Sequence, residues 1–162
     1  MSLPRVAMGG LPLPVRPRIS GFTRPFWDAL AQGRLLGTRC DACGTTSFPP
    51  RNLCRGCWAR SVRWVDLVAT GSLYSYTRVH VAPGAFRGEA PYAIGLVDLD
   101  DGVRLMCRLV GNVVPGDLDA PVEMVVLDYA DGALFGARRL GRAATPDRAG
   151  SRRAISTRPR DP

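Results

Sequence analysis

Lysine is missing from this 162-residue chain; its 22 basic residues are all arginine, set against 14 acids for a formal net charge of +8. Histidine occurs once, as His80, so no Ser-His-acid or Cys-His catalytic arrangement can be built from it with support elsewhere in the sequence. Aromatic residues make up only 7% of the chain, a thin supply for a surface that stacks bases. Neither common glycine-rich phosphate-loop pattern occurs. No stretch approaches the roughly 20 apolar residues that a spanning helix needs, and residues 1–20 lack the continuous apolar run of a secretory signal. The expectation is a cytoplasmic protein without a membrane span, in a compartment that keeps thiols reduced.

What is present points to β structure. The chain is 46% hydrophobic, enough for a core, while 18 glycines and 14 prolines argue against a helical bundle and for short strands joined by turns. The charge is unevenly placed. Residues 1–20 hold three arginines and no acid, and residues 138–162 hold eight arginines against Asp147 and Asp161. Residues 66–137 hold ten acids and four arginines. A nucleic-acid-binding barrel presents a basic groove; this segment is acidic, which disfavours nucleic acid as its ligand.

Pro4, Pro12, Pro14 and Pro17 predict a flexible, extended N-terminal arm over 1–20. A short helix is predicted from Pro25 to Gln32, capped by Thr23, ended by Gly33, and carrying Phe26, Trp27, Leu30 and Ala31 at helical spacing. Eight residues do not make a stable helix alone, so it must dock. Strands are predicted near 71–81, 92–99, 103–110, 122–129 and 133–138, with Asp101-Gly102 and Asp131-Gly132 as hairpin turns. Five short strands suggest a small barrel or sandwich, the OB-fold being the five-stranded candidate. The Arg-rich segment 139–162 is expected to be disordered. The domain reading is thus 1–20 arm, 21–65 helix plus cysteine-rich segment, 66–138 barrel and 139–162 tail.

Cys40, Cys43, Cys54 and Cys57 form C-x2-C-x10-C-x2-C, the strongest signal in the chain. Two residues between cysteines let a tight turn aim both sulfurs at one point, and Gly44 and Gly56 leave room for backbone N–H groups beside them. Two such knuckles close a four-thiolate site, for which one structural Zn²⁺ is the default. Paired disulfides, thiol redox chemistry and a rubredoxin-like iron site are the competing readings. Cys107 alternates with Val103, Leu105 and Leu109 and reads as a core residue. Along 71–81, simple alternation places Leu73, Ser75, Thr77, Val79 and Val81 on one face and Tyr74, Tyr76, Arg78 and His80 on the other.

Several runs together carry a resemblance: Phe26-Trp27-Asp28-Ala29-Leu30-Ala31-Gln32-Gly33-Arg34-Leu35-Leu36; Arg39-Cys40-Asp41-Ala42-Cys43-Gly44; Phe48-Pro49-Pro50-Arg51 before Cys54-x2-Cys57; Gly71-Ser72-Leu73-Tyr74-Ser75-Tyr76-Thr77; Ala90-Pro91-Tyr92-Ala93; and Val97 to Leu105. Over about residues 25–130 the chain resembles the bacterial and archaeal zinc-ribbon/OB-fold proteins associated with acyl-CoA metabolism. The resemblance implies an N-terminal helix, a rubredoxin-like zinc ribbon and a C-terminal OB barrel. It implies a non-catalytic scaffold that assembles with thiolase-like enzymes, hydroxymethylglutaryl-CoA synthase or MaoC-type enoyl-CoA hydratases and helps hold the CoA of a shared thioester. The four cysteines carry over as metal ligands. Arg55 departs from the family pattern, which often has proline there, and the Arg-rich tail lies outside it. CoA needs guanidinium donors and an apolar ledge, which nominates Arg51, Phe86, Arg87 and Tyr92 as CoA or interface contacts. A nucleic-acid-binding module and a self-sufficient acyl-CoA enzyme using His80 are the alternatives.

Overall fold

The computed structural model describes residues 2–141. Helix α1 spans Arg24–Ala31, with Pro25 in its first turn and Phe26, Ala29 and Leu30 buried on one face. Gly33, at φ +78°, turns the chain away after it. Thr23 does not cap through its side chain. Its hydroxyl instead accepts the Ser20 N–H at 2.9 Å while the Thr23 N–H donates to Ser20 Oγ at 3.1 Å, so the hydroxyl is spent on the preceding turn.

Strands β2 (Leu36–Cys40), β3 (Thr46–Ser47) and β4 (Val62–Asp66) form a three-stranded antiparallel sheet in the order β3-β2-β4. The barrel follows as β5 (Thr70–Val79), β6 (Tyr92–Leu99), β7 (Arg104–Val110), β8 (Pro121–Tyr129) and β9 (Gly132–Arg139). The meander β5-β6-β7 is antiparallel, β9 runs parallel to β7, and β8 pairs with both β9 and β5. Those last pairings close the sheet into a barrel. The β6–β7 turn places Gly102 at φ +83°, as a three-residue hairpin loop requires. The β8–β9 loop is Ala130-Asp131, because Tyr129 pairs directly with Gly132; the expected turn lies one residue further along. Closure makes one position intolerant of any side chain. A Cβ on the buried Gly71 would collide with the backbone carbonyl of Asp98 across the β5–β6 pair. Gly71→Ala is therefore expected to cost about 3 kcal/mol, read as a lower denaturation midpoint at unchanged m-value.

A β-bulge at Tyr74 corrects the simple alternation along β5. The register moves from Leu73 opposite Val97 to Ser75 opposite Leu96, which puts both Leu73 and Tyr76 on the core side. Tyr74 stays half exposed, with the Arg104 guanidinium 3.6 Å over its ring. One extra residue reverses every later side chain of the strand.

The ribbon and the barrel share one core. Phe26, Phe48 and Phe135 meet edge to face, with centroids 5.3 to 6.1 Å apart, and Leu30, Leu35 and Leu67 join Leu73, Val97 and Met124 in a continuous apolar cluster. This is where the short helix docks, and it explains how eight residues remain helical.

The N-terminal segment is not a flexible arm, and the reason lies in β8. Val122, Met124 and Val126 face the barrel interior, but Val125, Leu127 and Tyr129 on the outer face are equally apolar and need cover. Strand β1 (Arg5–Ala7) pairs parallel to β8, Val6 with Leu127, and Val6, Met8 and Leu13 pack on that outer face. Leu3 is buried and its N–H donates to the Gly33 carbonyl at 2.7 Å. Arg5 forks onto Asp128 at 2.6 and 2.8 Å and also donates to the Ala31 carbonyl. The segment thus ties the end of α1 to the barrel. Of the expected C-terminal tail, Arg139 closes β9, and residues 142–162 lie outside the described residues.

Candidate metal centre and adjoining surfaces

The loops after β2 and before β4 form two knuckles of the same design. In each, the first cysteine's N–H donates to a carbonyl just past the turn, Cys40 to Thr45 and Cys54 to Ala59, both at 3.0 Å. Its carbonyl in turn accepts the N–H of the residue after the second cysteine, Gly44 at 3.0 Å and Trp58 at 3.1 Å. That closure requires a left-handed residue: Gly44 sits at φ +74° and Trp58 at φ +62°. Glycine adopts this conformation freely; a bulky side chain does so only at a cost.

The knuckles bring the four Sγ atoms of Cys40, Cys43, Cys54 and Cys57 within 4.8 Å of one another. Cys40 and Cys57 are 3.6 Å apart, and Cys43 and Cys54 are 3.5 Å apart. Those separations are far too long for disulfides and close to the roughly 3.8 Å edge of a tetrahedron with Zn–S bonds of about 2.3 Å. The Gly56 N–H donates to Cys54 Sγ at 3.3 Å, and Thr45 Oγ1 lies 3.2 Å from Cys43 Sγ. The Thr45 hydroxyl and N–H hold the Cys43 thiol down to about 6. At Cys57 the Ala59 N–H also pulls downward, but the neighbouring Cys43 and Cys40 sulfurs and burial outweigh it and push the thiol up to about 12. The Cys57 thiol therefore needs a cation beside it to ionise near neutral pH. Residues and geometry fit a closed Zn²⁺ site, whose four ligands leave no position for substrate.

Beside Cys54 the ribbon opens a groove of about 820 Å³, lined by Phe22, Leu53, Arg51, Arg55 and Trp58 among others. Arg51 thus stands on the ribbon, its N–H fixed by the buried Thr38 hydroxyl at 3.0 Å. Phe86, Arg87 and Tyr92 lie elsewhere, in and after a 3-10 turn at Gly84–Glu89 between β5 and β6. Tyr92 is buried, with the Phe86 ring 6.0 Å away and the Arg108 guanidinium 4.2 Å over its own ring. Glu89 pins this turn to the barrel: it pairs with Arg108 at 2.8 Å and accepts a hydrogen bond from Tyr129 Oη at 3.2 Å. Burial first, and the Glu89 charge second, push the Tyr129 phenol up to about 12. The structure so brings Phe86 and Tyr92 together, carries Arg87 on the same turn and leaves Arg51 in the ribbon groove.

The acidic excess of residues 66–137 is largely neutralised from outside. Arg5, Arg16, Arg34, Arg138 and Arg139 pair with Asp128, Asp131, Asp66, Glu123 and Asp117. The barrel surface is therefore near neutral rather than acidic. His80 is exposed in the bend after β5. Cys107 is buried in the barrel core, where desolvation pushes its thiol up to about 12. Trp58, which sequence reasoning passed over, is 73% exposed. Its only signal was the contrast between Cys-x-x-Cys-Gly in the first knuckle and Cys-x-x-Cys-Trp in the second. No helix among the described residues is long and apolar enough to cross a membrane.

Comparison with known proteins accounts for both halves of this architecture. Residues 27–63 match the ChsH2 rubredoxin-like zinc ribbon domain, and residues 64–127 match the ChsH2 C-terminal OB-fold domain. A benzoylsuccinyl-CoA thiolase subunit, BbsA, from Thauera aromatica is 33% identical over 116 residues, covering 68% of this chain and 78% of that protein. A DUF35 domain-containing scaffold protein from Methanocaldococcus jannaschii is 39% identical over 77 residues, which is 47% of this chain. The chain spans 55% of the length of that scaffold protein, and 35% of a probable enoyl-CoA hydratase alpha subunit from Thermomonospora curvata with which it is 37% identical over 117 residues, 72% of this chain. Among solved structures, the Ltp2-ChsH2(DUF35) aldolase contains a chain that superposes with a TM-score of 0.65 at 34% identity, over 76% of this chain and 98% of that one. Two matched domains in the same order, a four-cysteine ribbon and a closed five-stranded barrel lead to one conclusion: the chain belongs to the ChsH2-type (DUF35) zinc-ribbon/OB-fold family.

Proposed function

We propose that this chain is a non-catalytic accessory subunit of a cytoplasmic acyl-CoA-processing complex, with one structural Zn²⁺ on Cys40, Cys43, Cys54 and Cys57. Its partner is a thiolase-like enzyme or a MaoC-type hydratase, and it helps to hold the CoA of their thioester substrate. The observation that carries this reading is likeness across both domains, over 68% and 76% of this chain, to chains named as a thiolase subunit and as part of an aldolase complex. The chemistry of the site agrees with it. A closed thiolate site does no Lewis-acid work on substrate, and its role is to fix the ribbon. Rigid elements that share one core suit a scaffold, which must present a fixed surface. Arg51 and Arg87 supply guanidinium donors suited to CoA phosphates, and Phe86 with Tyr92 supplies an apolar support.

Turnover separates this reading from the self-sufficient enzyme. The purified zinc-loaded chain should leave acyl-CoA unchanged, and adding it to the cognate partner should raise the partner's rate. Turnover by the chain alone that disappears in His80→Ala would overturn the proposal.

A further inference from the structure

We infer that the groove beside the second knuckle is a binding site for a purine nucleotide bearing phosphates, with Trp58 as the stacking platform and Arg51 and Arg55 as the phosphate donors. Three observations converge there. Trp58 adopts φ +62° at the position where the first knuckle uses glycine, a left-handed conformation that strains a bulky side chain. Nothing in the packing repays that cost, since the ring is 73% exposed and stacks on no other aromatic ring among the described residues. The strain holds a large flat surface at the groove's rim.

Arg51 and Arg55 line the same groove, which has no carboxylate in its wall, and neither makes an ion pair among the described residues. Both guanidiniums stand beside an exposed indole with no acid in the groove wall to compete for them. The loop carrying them is fixed in place by the Thr38 hydroxyl and by the Cys54 knuckle, so little ordering would be lost on binding. A groove of about 820 Å³ lies within the range of about 300–1,000 Å³ typical of small-molecule sites. An indole face takes a planar base, and planar guanidiniums take phosphate oxygens.

The adenosine 3′-phosphate end of CoA and a free adenine nucleotide share this chemistry. The assignment to CoA rests on the proposed function; the assignment to a nucleotide does not. The test is calorimetric titration of the zinc-loaded full chain with adenosine 3′,5′-bisphosphate, and in separate arms with CoA, ATP, adenosine and inorganic phosphate. Saturable binding of the bisphosphate at one per chain is expected, with adenosine and phosphate alone each much weaker. Tighter binding of CoA than of ATP identifies the source. Trp58→Gly should weaken binding about tenfold or more, yet melt no lower than the parent, because glycine relieves the strained φ. Arg51→Ala with Arg55→Ala should weaken binding similarly and flatten its salt dependence.

Unchanged binding in Trp58→Gly overturns the site, as does bisphosphate binding no better than inorganic phosphate, or a single-stranded RNA that displaces it. CoA binding that survives in Trp58→Gly and fails in Arg87→Ala overturns this groove while leaving the CoA reading standing. Absence of CoA binding beside firm bisphosphate binding keeps the groove and removes the CoA assignment.

Discussion

Cys54→Ser should reduce bound zinc from one per chain to near zero and unfold the ribbon. Cys54 is buried, accepts the Gly56 N–H, and sits 3.5 Å from Cys43, so a hydroxyl there removes a ligand from the middle of the site. Little else holds the two knuckles together: β3 is two residues long, and the knuckles bury few apolar side chains of their own. Structural zinc supplies on the order of 10 kcal/mol of apparent folding free energy in isolated ribbons and fingers near neutral pH. Because Phe48 of the ribbon packs on Phe26 and Phe135, the loss should reach the barrel as well and lower its melting temperature. Elemental analysis gives the metal content, and hydrogen exchange should show β2, β3 and β4 amides losing protection first. Acidification should release the metal in the same way, since protons compete with zinc for the cysteine thiolates. A Cys54→Ser protein with full zinc and unchanged melting would contradict the structural role, and iron in anaerobically purified protein would contradict the choice of metal.

Removing residues 2–17 is the second change expected to have a large effect. It uncovers Val125, Leu127 and Tyr129 on the outer face of β8 and exposes the β8 backbone that β1 pairs with. Burial of each such side chain stabilises by about 1.5–3 kcal/mol, so the loss amounts to roughly 5 kcal/mol. It also removes the Leu3 to Gly33 tie that holds the end of α1. The truncated chain should unfold at a clearly lower denaturant midpoint and self-associate through the uncovered face. Arg5→Ala, by contrast, should cost no more than about 1 kcal/mol, because its pair with Asp128 is exposed to solvent. A truncated protein with wild-type stability would show that the segment merely lies on the barrel.

The five barrel strands, the helix and the cysteine site were legible because each carries a local signal: alternation bounded by turn residues, a proline-led helical stretch, and a fixed cysteine spacing; β1 and the short ribbon strands β2, β3 and β4 carry no such alternation. The β-bulge at Tyr74 was not, since one inserted residue leaves alternation intact on either side and reverses only its meaning. The docking of the N-terminal segment was hidden for a different reason. Its four prolines read as an extended, flexible arm, whereas its place is decided by an apolar outer face on β8, more than a hundred residues away. Charge by segment was also misleading for the barrel, because arginines from flanking segments neutralise its acids across space. Trp58 escaped notice because an exposed tryptophan looks ordinary until its φ is known.

Capture of the tagged full chain from its source cells at moderate salt, with mass spectrometry and nucleic-acid assay of everything retained, tests the central claim most directly. The account predicts a thiolase-like enzyme or a hydratase acting on CoA thioesters in near-equal amount, together with zinc. Recovery of RNA or ribosomal proteins with no CoA enzyme would contradict it and transfer the function to the arginine-rich segments.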